Sequence, residues 1–279
     1  MAGPGRGTVG GAEEGGGGRP WTMTLREALE RDARRTTFSS GSAALDRLLG
    51  GGFRTGEMVE VFGASGTGKT QLAIQAALSA AAAGSTIVYV DTEGQFRPER
   101  LASIAEARGV DPAGVLSMVY RVRATSTEEQ VAAIARAARD GSLEACRMVV
   151  VDTVTKNFSL EFGGSGLMAN RQSALGAYLN RLARDAYIND RAVLLLNRVA
   201  TIGQGDGEGG AGSREVGIGG ETLRRYVQRS LRLRRKGDAG TVRASVEEGD
   251  LDAALGEGEG RRDEVALAIT ARGLEEGPR

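Results

Sequence analysis

The chain has 279 residues, 41% of them apolar, with 36 basic and 36 acidic side chains, one cysteine and no histidine. That length holds one large domain or two small ones, and the balanced charge excludes a protein drawn to nucleic acid over its whole surface. The missing histidine excludes imidazole metal centres and His-based acid–base chemistry, while the single Cys146 excludes an intrachain disulfide and points to the cytoplasm.

The first twenty residues, MAGPGRGTVGGAEEGGGGRP, contain no apolar core and read as a flexible tail rather than a secretory signal. Residues 21–40 follow as a short segment with a charged helix over Leu25–Arg35. From residue 41 the pattern becomes that of a folded core running to residue 279. SGSAALDRLLGGG predicts a helix capped by Ser42 and ended by the glycines from Gly50. EMVEVFG predicts a strand, and the alanine-rich GKTQLAIQAALSAAAAG a helix closing at Gly84. STIVYVD and PERLASIAEARG give a second strand and helix.

Ser117–Val122 predicts a third strand, followed by a helix over Thr125–Asp140 with Val131, Ile134 and Ala138 on one face. RMVVVDT and AVLLLN are continuous apolar runs, as strands buried on both faces require. Between them, Asn170–Ile188 places Leu175, Tyr178, Leu179, Leu182 and Ala186 on one helical stripe. Beyond Gly220 the segments RSLRLRR, TVRASVEE and EVALAITARG predict antiparallel strands. The fold class is therefore α/β: a mostly parallel sheet flanked by helices, with antiparallel strands at the C-terminal end. No apolar stretch reaches the roughly 18–20 residues that a membrane span needs.

GASGTGKT, between a strand and a helix, satisfies the phosphate-binding pattern G-x-x-x-x-G-K-[ST]. Gly63, Ala64, Ser65, Gly66, Thr67 and Gly68 form the loop whose backbone N–H groups close around phosphates, and Gln71 continues it into the helix. Lys69, one of only three lysines in an arginine-rich chain, reaches the β- and γ-phosphates. The Thr70 hydroxyl is a ligand for Mg²⁺, with Asp152 at the end of RMVVVD as the second. The competing reading, a glycine-rich turn in a glycine-rich protein, leaves Lys69 unexplained.

Glu93 follows the strand STIVYVD, so it shares the carboxyl edge of the sheet with that loop and with Asp152. A carboxylate not committed to the metal can polarise water, which makes Glu93 the candidate general base, with Lys69 beside it and Asp91 structural. As an ordinary turn, DTEG would instead have no chemical role.

TGKTQLAIQAA, YVDTEGQFRPERL, VVVDTVTKNF and LLLNRVA stand in the order and approximate spacing of the RecA/RadA recombinase family, which the chain resembles over about residues 36–235. The resemblance implies a RecA-type ATPase core that binds ATP and Mg²⁺, and it implies a catalytic role for Glu93. It also carries Arg100 to a position near the adenine and Asn197 to one that senses the γ-phosphate. Three departures are visible. Only the tail and one short helix precede the core, where RadA-type recombinases carry a helical DNA-binding domain. No aromatic-x-x-Ala polymerisation segment is evident. The family's Asn-Gln pair is Asn197-Arg198, and an arginine there either contacts phosphate as a charged sensor or uncouples the relay to DNA.

The start and the C-terminal strands look most like the archaeal RadB branch of that family. This implies an ATP-dependent DNA-binding accessory protein of homologous recombination and repair, with weak hydrolysis and a RadA-type partner. An active RadA-like recombinase and a KaiC-like regulatory ATPase acting through protein partners are the alternatives. Ser159–Asn170 and Thr201–Gly220 match the family's DNA-binding loops, yet hold few cations; Arg224, Arg225, Arg229, Arg232, Arg234 and Arg235 are the denser basic cluster. Single-stranded DNA is the expected nucleic acid, with a homo-oligomer possible within the resemblance.

Overall fold

A computed structural model describes residues 23–139, 145–164, 166–202, 214–236, 241–247 and 264–277. The chain divides into two units, Met1–Arg34 and Arg35–Arg279. In the first, helix α1 (Leu25–Ala33) starts on Thr24. The Thr24 hydroxyl accepts from the Glu27 N–H while the Glu27 carboxylate accepts from the Thr24 N–H, satisfying two donors that a helix start leaves unpaired.

The second unit opens with β1 (Thr37–Phe38), α2 (Ala43–Leu48) and β2 (Phe53–Arg54); β1 and β2 pair antiparallel. Ser42 stands at the N-cap position of α2, but its side chain makes no capping bond, a correction to the predicted cap. The elements that build the site come next: β3 (Met58–Phe62), α3 (Lys69–Ala82), β4 (Thr86–Asp91), α4 (Pro98–Ala107), α5 (Pro112–Met118) and β5 (Val119–Arg123). After them stand α6 (Thr127–Arg139), β6 (Cys146–Asp152), α7 (Lys156–Glu161), α8 (Met168–Asn189) and β7 (Ala192–Asn197). The hairpin β8 (Val199–Ile202) and β9 (Arg214–Gly217) leads to α9 (Gly220–Arg224). The strands β10 (Arg229–Lys236), β11 (Thr241–Glu247), β12 (Glu264–Thr270) and β13 (Gly273–Glu276) complete the unit.

One nine-stranded sheet runs in the order β13-β12-β11-β10-β3-β7-β6-β4-β5. From β10 to β5 every neighbouring pair is parallel, and from β10 to β13 every pair is antiparallel. Helices cover both faces of the parallel half, because alternate strand residues point to opposite sides. Ile87, Tyr89, Met148, Val150, Leu194 and Leu196 pack into one core with Leu72 of α3 and Leu101 and Ile104 of α4. Val88, Val90, Val149, Val151, Val193 and Leu195 pack into the other with Leu175, Leu179 and Leu182 of α8.

Several boundaries differ from the sequence expectation. Ser117 and Met118 end helix α5 rather than begin a strand, since Asp111 accepts from the Ala113 and Gly114 N–H groups and Pro112 sets the first helical residue. The buried face of α6 carries Gln130, Ala133 and Ala137, with Val131 and Ile134 only half-buried; the Ala138 side chain lies outside the described residues. The loop expected over Ser159–Asn170 is shortened at both ends, by α7 and by α8. Most of the second expected loop, residues 203–213, lies outside the described residues.

Candidate functional site

Four strand ends converge at one level of the sheet. Phe62 of β3 is level with Asn197 of β7, Asp152 of β6 with Leu196 of β7, and Asp91 of β4 with Asp152. That register brings the segments after β3, β4, β6 and β7 to the same carboxyl edge, where ligands of open α/β sheets bind. A cleft of about 310 Å³ opens there, lined by Ser65, Lys69, Thr70, Glu93, Asp152 and Arg198 among others.

The loop after β3 turns sharply into α3. Gly68 caps that helix at φ 91°, a left-handed conformation that side chains other than glycine's adopt at a cost. Gly63 is required for space: a Cβ there would lie 2.2 Å from the Leu233 carbonyl oxygen of β10. The Lys69 ammonium donates to the Gly63 and Ala64 carbonyl oxygens at 2.7 and 2.8 Å. Burial pulls its pKa below the ordinary lysine value, Asp152 opposing this and Arg198 reinforcing it. The Thr67 hydroxyl donates to the Ala64 carbonyl.

Thr70 donates its hydroxyl to Asp152 Oδ2 at 2.8 Å, so the two expected magnesium ligands are in contact. The same oxygen accepts from the Tyr89 hydroxyl at 2.7 Å, a partner that the sequence reading missed. Burial raises the Asp152 pKa; the bonds from Tyr89 and Thr70 oppose the shift, while Glu93 and Asp91 add to it. One hydroxyl and one carboxylate side by side would suit Mg²⁺, which takes few protein ligands and completes its octahedron with other oxygens and water. Among the described residues no cluster of three or more acidic or cysteine side chains could hold a metal unaided.

Asp91 is committed to structure. Its carboxylate accepts from the Gly94 and Gln95 N–H groups and from two nitrogens of Arg121. That clamp shapes the turn on which Glu93 sits. Glu93 Oε1 accepts from the Thr153 hydroxyl at 3.2 Å, and Oε2 forms an ion pair with Arg198 at 2.5 Å.

Two residues expected to contact nucleotide are not among those that line this cleft. Asn197 is fully buried and does not line the cleft. Its amide donates to Glu60 and to the Ile218 carbonyl, and its oxygen accepts from Thr155. The neighbouring Arg198 takes the place on the cleft wall, because successive residues at a strand end point opposite ways. Arg100 likewise stands off the cleft lining, bonded to Gln71 and to the Thr270 and Ala271 carbonyls. Gln71 does line it.

The arginine cluster of the C-terminal half is largely neutralised within the chain. Arg224 pairs with Glu247, Arg225 with Glu221, Arg229 with Glu57, Arg232 with Glu215 and Glu247, and Arg234 with Glu264. A second cleft of about 210 Å³, between Glu60, Glu221, Arg224 and Glu247, lies in the same region and is mainly acidic. The alternation in RSLRLRR thus reflects half-buried strand pairing rather than a row of free cations. No helix among the described residues is long and apolar enough to cross a membrane.

The Rad51 family profile matches residues 32–250. A DNA repair and recombination protein RadA of Metallosphaera sedula is 35% identical over 234 residues, covering 79% of this chain and 69% of that protein. A second RadA, from Cenarchaeum symbiosum, is 38% identical over 169 residues, covering 58% of this chain and 42% of that protein.

Proposed function

The chain belongs to the Rad51 family, and from that premise we propose that it is an ATP-dependent, DNA-binding accessory protein of homologous recombination and DNA repair, of the RadB kind, hydrolysing ATP weakly. The observation that carries the ATP reading is the convergence of Lys69, Thr70, Asp152 and Glu93 on one cleft from separate chain segments. The loop Gly63–Gly68 and the start of α3 offer backbone N–H groups to phosphate oxygens. Lys69 would exchange its two carbonyl partners for the phosphates. Thr70 and Asp152 would hold Mg²⁺, whose chemistry is to neutralise charge on the β- and γ-phosphates.

Glu93 would take a proton from the attacking water, the step that general-base catalysis assigns to a carboxylate within hydrogen-bond reach. Weak turnover is supported by its present partners: both oxygens already accept bonds, one of them from a guanidinium. A carboxylate so engaged must lose one partner before it can accept from water. The internal pairing of the arginine cluster supports modest DNA affinity, so a role beside a RadA-type partner fits better than one as the principal strand-exchange protein.

The deciding experiment is a titration of single-stranded DNA with and without ATP and Mg²⁺, followed by a strand-invasion assay with and without a RadA recombinase. Nucleotide-dependent DNA binding, with invasion only when RadA is present, is expected. Invasion by this protein alone would favour the recombinase alternative. ATP binding with no DNA affinity under any condition would leave the regulatory-ATPase alternative.

A further inference from the structure

Lys156, another of the three lysines in the chain, is the first residue of α7, where the positive end of a helix disfavours a cation. Its side chain leaves α7 for the turn after β4, and the ammonium donates to the Thr92 carbonyl oxygen at 2.9 Å. Thr92 is fully buried and stands immediately before Glu93. The other polar groups of Thr92 are committed as well. Its N–H donates to the Asp152 carbonyl, and its hydroxyl donates to the Asp152 and Thr153 carbonyls and accepts from the Thr153 N–H. The start of α7 is itself anchored: the Asn157 amide donates to the Ala124 and Ser126 carbonyls and to Gln130, and the Thr155 hydroxyl donates to Asn197. Lys156 therefore reaches the turn from a fixed base.

We propose that Lys156 is a positioning residue for hydrolysis, setting the direction of Glu93 through the Thr92 carbonyl without touching the nucleotide. The inference rests on the general-base reading of Glu93 given above. A buried carbonyl that loses its donor is left unsatisfied, at a cost, unless its peptide rotates toward another donor or toward water. The Thr92 carbonyl belongs to the peptide that leads into Glu93, so such a rotation changes the direction in which the Glu93 side chain departs. Asp91 holds the far side of this turn through the Gly94 and Gln95 N–H groups; Lys156 holds the near side. Lys156 is not among the residues that line the nucleotide cleft, so its effect falls on the aim of the carboxylate and not on binding. Misplacing a catalytic group by about 1 Å can lower a rate by about a hundredfold.

Single-turnover ATP hydrolysis in Mg²⁺, with affinities for fluorescent ATP and ADP measured beside it, tests this on Lys156→Met with and without Glu93→Gln. Methionine keeps most of the length of the side chain and removes its donors. Lys156→Met should lower the hydrolysis rate roughly tenfold or more while affinity for both nucleotides stays unchanged. In the Glu93→Gln background the same change should cost nothing further, because the carboxylate that it aims is already gone. Should methionine unfold the protein, Lys156→Gln, an amide donor on a shorter stem, takes its place with the same split between rate and affinity expected. A rate left unaltered by the substitution overturns the proposal. So does a rate loss that persists in full beside Glu93→Gln, or one matched by an equal loss of nucleotide affinity, since either makes Lys156 a general support of the fold. Unchanged hydrolysis by Glu93→Gln alone would overturn the general-base reading itself, whatever the Lys156 variants do, so the two failures are distinguishable.

Discussion

The Tyr89 hydroxyl and the Thr70 hydroxyl converge on a single oxygen, Asp152 Oδ2, at 2.7 and 2.8 Å. Tyr89 comes from the fully buried side of β4, where its ring centroid lies 4.4 Å from that of Phe96. It therefore fixes the direction in which Asp152 points before any cation arrives. Burial raises the tyrosine's own pKa well above the usual value, with the Asp152 charge adding to the shift, so it remains a donor throughout the physiological range. Tyr89→Phe removes that support while leaving the ring in place. Supporting partners of metal ligands typically contribute about ten- to a hundredfold in metal affinity. The Mg²⁺ concentration needed for half-maximal nucleotide binding should rise roughly tenfold, with binding in EDTA unchanged. An unaltered Mg²⁺ requirement would show that Thr70 alone orients Asp152.

Lys69→Ala deletes a cation that donates two short hydrogen bonds to the loop it serves. Triphosphate affinity should drop by about a hundredfold, matching two charge-assisted hydrogen bonds. The melting temperature should move little, because the native lysine is already held against a desolvation penalty. Fluorescent nucleotide titration and a thermal melt on the same preparation check both halves of this expectation.

Glu60 offers a pH test that is independent of nucleotide. Burial raises its pKa above the ordinary carboxyl value of 4.5, against opposing bonds from Asn197 and Ser230 and the nearby Arg224 charge. The folded protein thus holds this proton to higher pH than the unfolded chain does. Its contribution favours folding below the unfolded pKa and is lost as pH rises through the raised folded value. Glu60→Gln mimics the protonated form. The variant should gain stability relative to the wild type at neutral pH, and the difference should shrink as the solution is acidified through that window. Denaturant midpoints measured for both proteins between about pH 4 and pH 8 test this. A difference that stays constant across the range would mean that Glu60 titrates as it does in the unfolded chain.

The internal pairing of the arginines predicts a shallow salt response. Six free arginines on six phosphates of single-stranded DNA would give a slope of log affinity against log salt of about −4. With Arg224, Arg225, Arg229, Arg232 and Arg234 paired to carboxylates, the slope should be well under half of that. A slope near about −4 would mean that DNA displaces those carboxylates.

The phosphate-binding loop, the strand-terminal Asp152, the turn bearing Asp91 and Glu93, and the alternation of buried strands with helices were all legible from the residues alone. Each is a local property: glycine spacing, an apolar run, or a lysine standing in an arginine-rich chain. The sequence therefore determined which polar side chains the chain brings to one edge of the sheet. Helix α5 escaped because the helix start at Asp111 and Pro112 outweighed the β-rich character of the residues after it.

Partnership was decided only in three dimensions. That Asp152 answers to Tyr89, that Asn197 turns inward to Glu60, that Arg198 lies on Glu93, and that five of the cluster's six arginines already have carboxylates depends on strand order and register across a nine-stranded sheet. Those contacts join residues 63 to 137 positions apart in the first three cases. A charge or hydroxyl has no sequence signal for the partner it will meet, because each polar group that folding buries must find whichever acceptor or donor the sheet brings alongside it.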